Sequence, residues 1–204
     1  MKLKLFLTTA LALIMGAGAF AQDIDFGVEA GVAGNWMPGT VMETGDQQVT
    51  HLGYYAGLTA SMDITDMIFA QAELSYVLKG VSTRNEALGR YARNLSYIQL
   101  PLMIGFRTSE PKLNLYIGPA FGLCIGNRVV SDLSNITSTG TPRKFNVSGT
   151  AQMTYMFLGN LGIDVRFDFG LTKTMQDTTI GKISVDDNGR NMGIMMGLCY
   201  KFGE

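Results

Sequence analysis

The chain has 204 residues, enough for one domain of ordinary size. Hydrophobic residues make up 47% of it and charged residues only 16%, against about 25% charged in a typical soluble domain, and 25 residues are glycine. With 16 basic against 17 acidic residues there is no basic surplus for a nucleic acid, and no stretch beyond the N-terminal segment offers about 18 unbroken apolar residues for a membrane helix.

Residues 1–21 are set apart first. Lys2 and Lys4 form a basic start, Leu5 to Met15 is mostly apolar, and Ala19-Phe20-Ala21 is a small-x-small cleavage site ahead of Gln22. These are the three parts of a secretory signal peptide. The expected division is a signal peptide over 1–21 and one domain over 22–204. Loss of Lys2 and Lys4 takes the basic count from 16 to 14 against 17 acidic residues, a net charge of −3.

The domain then alternates with period 2. Ile24, Phe26, Val28, Ala30 and Val32 share one face, opposite Asp25, Gly27, Glu29, Gly31 and Ala33, and Trp36 follows as an interfacial aromatic. Leu52, Tyr54, Ala56, Leu58, Ala60 and Met62 repeat the pattern, then Ile68 to Leu78 on the even positions with Gln71, Glu73, Ser75 and Lys79 opposite. Ile98 to Phe106 are apolar on the even positions against Gln99, Met103 and Arg107. Leu113, Leu115, Ile117, Phe121, Leu123 and Ile125 follow, against Asn114, Tyr116, Gly118, Gly122 and Arg128. Val147 to Phe157 faces away from Asn146, Ser148, Thr150, Gln152 and Thr154, and Met192 to Phe202 closes the series.

Leu161 to Thr172 is the clearest case: Leu161, Ile163, Val165, Phe167, Phe169 and Leu171 alternate with Gly162, Asp164, Arg166, Asp168, Gly170 and Thr172. Strict alternation makes a β-strand with two unlike faces. One face is too greasy for water and the other too charged for an ordinary core, which fits lipid outside and a polar lumen inside a closed sheet. The connections alternate too. Short turns at 63–66, 108–112 and 159–160 separate longer loops near 37–50, 80–93, 129–144 and 174–190, and long connections face outward in bacterial barrels. The expected fold is an all-β, antiparallel, up-and-down transmembrane barrel of about eight strands in the outer membrane. Pro101 and Pro119 fall inside expected strands, where each removes a ladder donor, so a bulge or an open hydrogen bond is expected beside each.

Gln71-Ala72-Glu73-Leu74-Ser75-Tyr76 with Lys79-Gly80, Tyr97-Ile98-Gln99-Leu100-Pro101-Leu102, Tyr116-Ile117-Gly118-Pro119-Ala120-Phe121-Gly122 and Arg166 through Gly170-Leu171-Thr172 resemble the PorT-like outer-membrane β-barrel proteins of Bacteroidota. The resemblance covers most of the mature chain and implies an outer-membrane address and a barrel; one branch of that family assists a secretion system and others are called porins. Gly197, Tyr200 and Phe202 resemble the C-terminal signal read by the barrel assembly machinery, which that machinery's recognition would make a partner during biogenesis.

The inward faces carry Asp25, Glu29, Glu73, Asp164 and Asp168 with Lys79, Arg107, Arg128, Arg166 and Lys201. The interior of an eight-stranded barrel is just wide enough for side chains to fill. Five acids and five bases are therefore expected to pair into a plug, since an unpaired buried charge is costly. A narrow ion path lined by the same residues is the alternative. The single histidine, His51, lies at the expected outer end of a strand, and a membrane-embedded lipid enzyme would need Ser131, Ser134 or Ser138 to fold over it. A solvated rim histidine is the simpler reading, and no catalytic residue, metal ligand or cofactor motif is assigned. Cys124 and Cys199 are placed at opposite ends of their strands, too far apart for a disulfide.

The residues thus favour a non-enzymatic envelope protein that acts through its outer loops. Outer-membrane lipid, lipopolysaccharide and an unidentified envelope protein are its expected partners, and no nucleic acid is.

Overall fold

A residue pattern that repeats every second position satisfies lipid on one side and lumen on the other only if every backbone group finds a partner in a neighbouring strand. The computed structural model describes residues 24–38, 46–85, 89–108, 112–131, 141–174, 178–180, 183–185 and 189–202. The expected signal peptide over 1–21 lies outside them.

In chain order the strands are β1 (Ile24–Trp36), β2 (Asp46–Val49), β3 (His51–Asp63), β4 (Ile68–Asn85), β5 (Gly89–Arg107), β6 (Leu113–Ser131), β7 (Phe145–Leu158), β8 (Leu161–Gly170), β9 (Thr178–Ile180), β10 (Ile183–Val185) and β11 (Met192–Phe202). Eight of them form a closed antiparallel ring in the order β4-β3-β1-β11-β8-β7-β6-β5, with β5 pairing back to β4. β11 closes onto β1 through the register Val28 to Tyr200 and Trp36 to Met192, which leaves the ring without an edge. β2 adds to the outer end of β4, and β9 with β10 forms a separate small hairpin.

The two faces separate as the alternation requires. In β8 the buried positions are Gly162, Asp164, Arg166, Asp168 and Gly170, while Ile163 and Phe167 are exposed on the lipid side. Leu52 is 77% exposed and Leu58 61%, whereas Glu73 and Arg166 are each 1% exposed. Large apolar residues outside and charged ones inside invert the soluble pattern, as a lipid-embedded barrel demands.

Two expectations about the outer end are corrected. Of the stretch 80–93, expected as a loop, residues 80–85 and 89–93 are strand: β4 and β5 pair as far as Asn85 with Gly89. Its charges marked it as a loop, yet a strand that has risen above the lipid can carry charge on its outward face. β6 likewise runs to Ser131. The barrel therefore has a tall wall of β4, β5 and β6, with 18, 19 and 19 residues, and a low wall of β7, β8, β11 and β1.

The prolines are accommodated by open rungs. The β4–β5 ladder lapses at Glu73-Leu74 opposite Leu100-Pro101, and the β5–β6 ladder lapses at Leu102-Met103 opposite Gly118-Pro119. Each proline thus interrupts one ladder and keeps the other: Pro119 still pairs Gly149. The β5–β6 pair also holds a true bulge between Ser96 and Tyr97, where Ile125 is the extra residue. Cys124 and Cys199 are free and half-buried.

Candidate functional site

The lumen is built by alternate residues of all eight ring strands, so period 2 alone delivers its side chains. Its centre is Arg166 of β8. Nη1 donates to Glu73 Oε1 at 3.0 Å, and Nη2 donates to Glu73 Oε2 at 2.6 Å, to Gln152 Oε1 at 2.9 Å and to Glu29 Oε1. Gln152 Nε2 donates to the other Glu29 oxygen at 3.2 Å, which closes the ring of bonds. The guanidinium also lies over the Tyr55 ring, 5.5 Å from its centroid, a cation–π contact in a dry setting.

Two satellites flank this centre. On the outer side, Asp168 accepts from Lys79 Nζ at 2.8 Å, Gln99 Nε2 at 3.1 Å and Thr150 Oγ1 at 2.6 Å. Tyr55 OH donates to Asp164 Oδ2 at 2.5 Å. Glycine makes that second contact possible: Gly197 of β11 is the register partner of Asp164, and a Cβ there would collide with the Tyr55 hydroxyl and the Ala30 carbonyl.

Apolar clusters sit above and below. Met37, Val81, Leu95 and Tyr97 pack at the outer end, and Phe69, Met103 and Tyr116 at the inner end, with Phe69 and Tyr116 edge to face at 5.1 Å. Between them the buried charges are Glu29, Glu73, Asp164 and Asp168 against Lys79 and Arg166. Buried carboxylates thus outnumber buried cations four to two. The five-to-five balance expected from sequence does not describe this buried core.

The other expected lumen residues lie elsewhere. Arg107 makes a bidentate pair with Asp63 at 2.7 and 2.6 Å, with Asp63 53% and Arg107 32% exposed in their side chains, at the inner rim. Lys201 and Arg107 both approach the Phe69 ring, at 5.7 and 5.1 Å, and Asp25 is half-buried at the same end. Arg128 is exposed and outside the network. The cause is the Ile125 bulge: beyond it Arg128 pairs Asn94, and cross-strand partners share a face, so the extra residue moves Arg128 from the inner face to the outer one.

His51 is 5% exposed and faces inward, with Nδ1 within 3.0 Å of Ser82 Oγ, itself 1% exposed. It is therefore a buried histidine at the outer end of the lumen and not a solvated rim group. Ser134 and Ser138 lie outside the described residues, and Ser131 ends β6. In β11, Tyr200 and Phe202 face lipid with rings 5.3 Å apart, while Gly197 faces the lumen. Sequence reasoning missed Tyr55. Its odd position in β3 marked the face, but nothing local shows that its hydroxyl reaches Asp164, 109 residues away.

The arrangement is a hydrogen-bonded, charge-bearing filling of a lipid-facing barrel. A family model for the outer membrane protein β-barrel domain matches residues 20–176. The structure is similar to the outer membrane protein OprG of Pseudomonas aeruginosa, with TM-score 0.50 and 12% identity, covering 90% of this chain and 98% of that one. Neisserial surface protein A is 18% identical with TM-score 0.47, over 88% and 97%. The attachment invasion locus protein Ail of Yersinia pestis is 13% identical with TM-score 0.46, over 89% and 99%. At these identities the likeness to OprG speaks for the fold alone. The comparison with curated proteins finds no match. Matched over most of its length, the chain belongs to the outer-membrane protein β-barrel domain family and is an envelope barrel of the outer membrane.

Proposed function

We propose that this barrel is a non-enzymatic interaction protein of the envelope, with a filled lumen and with its outer connections and tall wall as the working surface. The observation that carries this reading is the Arg166 network, in which one guanidinium engages Glu29, Glu73 and Gln152 at once between two apolar clusters. A lumen held this way favours support over transport. The resemblance to PorT-like proteins points to a partner in a secretion system of the same envelope, and Gly197, Tyr200 and Phe202 serve recognition by the barrel assembly machinery. Cross-linking in intact cells, followed by purification of the full chain, is expected to capture one envelope protein through the outer connections. Recovery of no cross-linked protein would overturn the interaction reading.

A narrow cation path is the second reading. The surplus of buried carboxylates favours it, because an uncompensated negative lumen selects cations. Single-channel recording separates the two. A filled barrel gives no reproducible steps, whereas cation-selective steps abolished by Asp168→Asn would establish the path.

A further inference from the structure

Two sulfur atoms meet on the lumen face, away from the Arg166 network. Met156 of β7 and Cys199 of β11 stand two strands apart, with Gly162 of β8 between them: Met156 pairs Gly162, and Gly162 pairs Cys199. Cross-strand partners share a face, and Met156 and Gly162 are buried positions on the lumen side of their strands. Two strand spacings of about 4.8 Å each would hold ordinary side chains apart. Across this glycine Cys199 Sγ and Met156 Sδ instead approach to 4.0 Å.

Gly162 is what lets them meet. A Cβ there would lie 2.6 Å from Met156 Sδ and 3.0 Å from Cys199 Sγ. The residue without a side chain thus leaves a notch walled by a thioether and a thiol. Met156 is buried and Cys199 half-buried. Two metal–sulfur bonds of about 2.3 Å span a separation of 4.0 Å at an angle of about 120°.

The surroundings favour a cation. The same row continues from Cys199 to Glu29 of β1, and Asp164 follows Gly162 by two residues on the same face. Asp164 Oδ1 is buried without a partner, in a core where carboxylates outnumber cations four to two. Met156 N donates to Lys112 O at 2.7 Å and Lys201 N to Asn160 O at 2.9 Å, which places the notch beside the inner turns. Among the described residues no three His, Cys, Asp or Glu side chains gather as a metal site. A divalent ion that needs several such ligands is therefore not matched, whereas a soft ion that takes two sulfurs is.

We propose that Met156 and Cys199 form a binding site for a soft monovalent metal cation, Cu(I) or Ag(I), seated over Gly162. Thiolate and thioether are the ligands such ions select, while carboxylate and water suit harder ones. On binding, a metal–sulfur bond replaces the S–H bond of Cys199 and the proton leaves to solvent. The charges of ion and thiolate then cancel, and Met156 donates a lone pair and stays neutral. The site goes beyond the interaction reading, which conductance and cross-linking test independently.

The test uses the full chain refolded in phosphatidylcholine nanodiscs, with gel mobility before heating to verify that each variant is folded. Ag(I) is the probe because it undergoes no redox change in air. Affinity is measured in competition with free methionine, and X-ray absorption at the silver edge counts the sulfur neighbours. Cys124→Ser, which removes the other thiol, is expected to retain about one Ag(I) per chain, held by both sulfurs. Adding Met156→Leu keeps the volume, weakens binding about ten-fold or more and leaves a single sulfur neighbour. Cys199→Ser abolishes this site, and Zn(II) at the same concentration is not retained. Equal affinity with and without Met156→Leu would overturn the proposal and leave Cys199 an ordinary reactive thiol. Silver that is lost on Cys124→Ser and kept on Cys199→Ser would overturn it too. A single sulfur neighbour in folded Cys124→Ser would do so without any change at Met156.

Discussion

Arg166 and Glu73 meet across the full diameter of the barrel. Their strands, β8 and β4, are separated by three strands in either direction around the ring, yet Nη1 and Nη2 reach the two carboxylate oxygens at 3.0 and 2.6 Å. A pair that spans the ring ties opposite walls together and fills the space between them. Bidentate geometry makes it strong as well as specific.

Arg166→Met leaves Glu29 and Glu73 buried without their cation and is expected to destabilise the barrel by about 3–5 kcal/mol. Replacing all three by apolar residues of similar volume is expected to cost less than the single change, because the stranded charges are gone. Urea unfolding in lipid vesicles, followed by the fluorescence of the single tryptophan Trp36, measures both. A triple variant less stable than Arg166→Met would refute the argument.

Tyr55→Phe removes the donor to Asp164, whose second oxygen Oδ1 is also buried without a partner. The expected cost is about 1–3 kcal/mol. Gly197→Ala is expected to cost more, because its Cβ would meet the Ala30 carbonyl oxygen as well as the hydroxyl, and Tyr55→Phe in the same chain relieves only the hydroxyl part, so the double variant should cost less than the sum of the two. Asp164→Asn keeps an acceptor and reduces the carboxylate surplus, so it is expected to be the mildest, within about 1 kcal/mol of the parent. Additive losses in the Tyr55 and Gly197 pair would show that they act separately.

Lys79 and Asp168 are 5% and 2% exposed in their side chains and 2.8 Å apart. A double-mutant cycle with Lys79→Met and Asp168→Asn should give a coupling energy of about 1–3 kcal/mol. Coupling near zero would mean that Gln99 and Thr150 alone hold Asp168.

His51 and Ser82 form a hydroxyl–imidazole pair in which both side chains are buried. Incubation with phospholipid or lipopolysaccharide is therefore expected to yield no product whose formation depends on His51 or Ser82. Turnover lost on His51→Ala would reinstate the lipid enzyme.

Much of the fold is legible in the sequence because a barrel strand needs only period 2 and a change of direction. Leu161 to Gly170 alternates without a fault and is β8 with the expected faces. The sequence rhythm of short and long connections identifies the inner and outer ends. Where local signals and height above the membrane conflict, the reading fails: the charges at 80–93 suggested a loop, yet ladder pairing to β5 keeps β4 extended to Asn85.

By itself, then, the sequence determined which residues of Asp164, Arg166 and Asp168 share a face, and that Phe167 and Phe169 face lipid, because alternation is a property of one strand. Only the tertiary structure decided that Arg166 takes Glu29 and Glu73, that Asp168 takes Lys79, and that Tyr55 reaches Asp164. Those partners depend on the order and stagger of strands around a closed ring. They also depend on single-residue events such as the Ile125 bulge, which turned Arg128 outward, and on height in the barrel, which leaves Arg107 and Lys201 at the inner end.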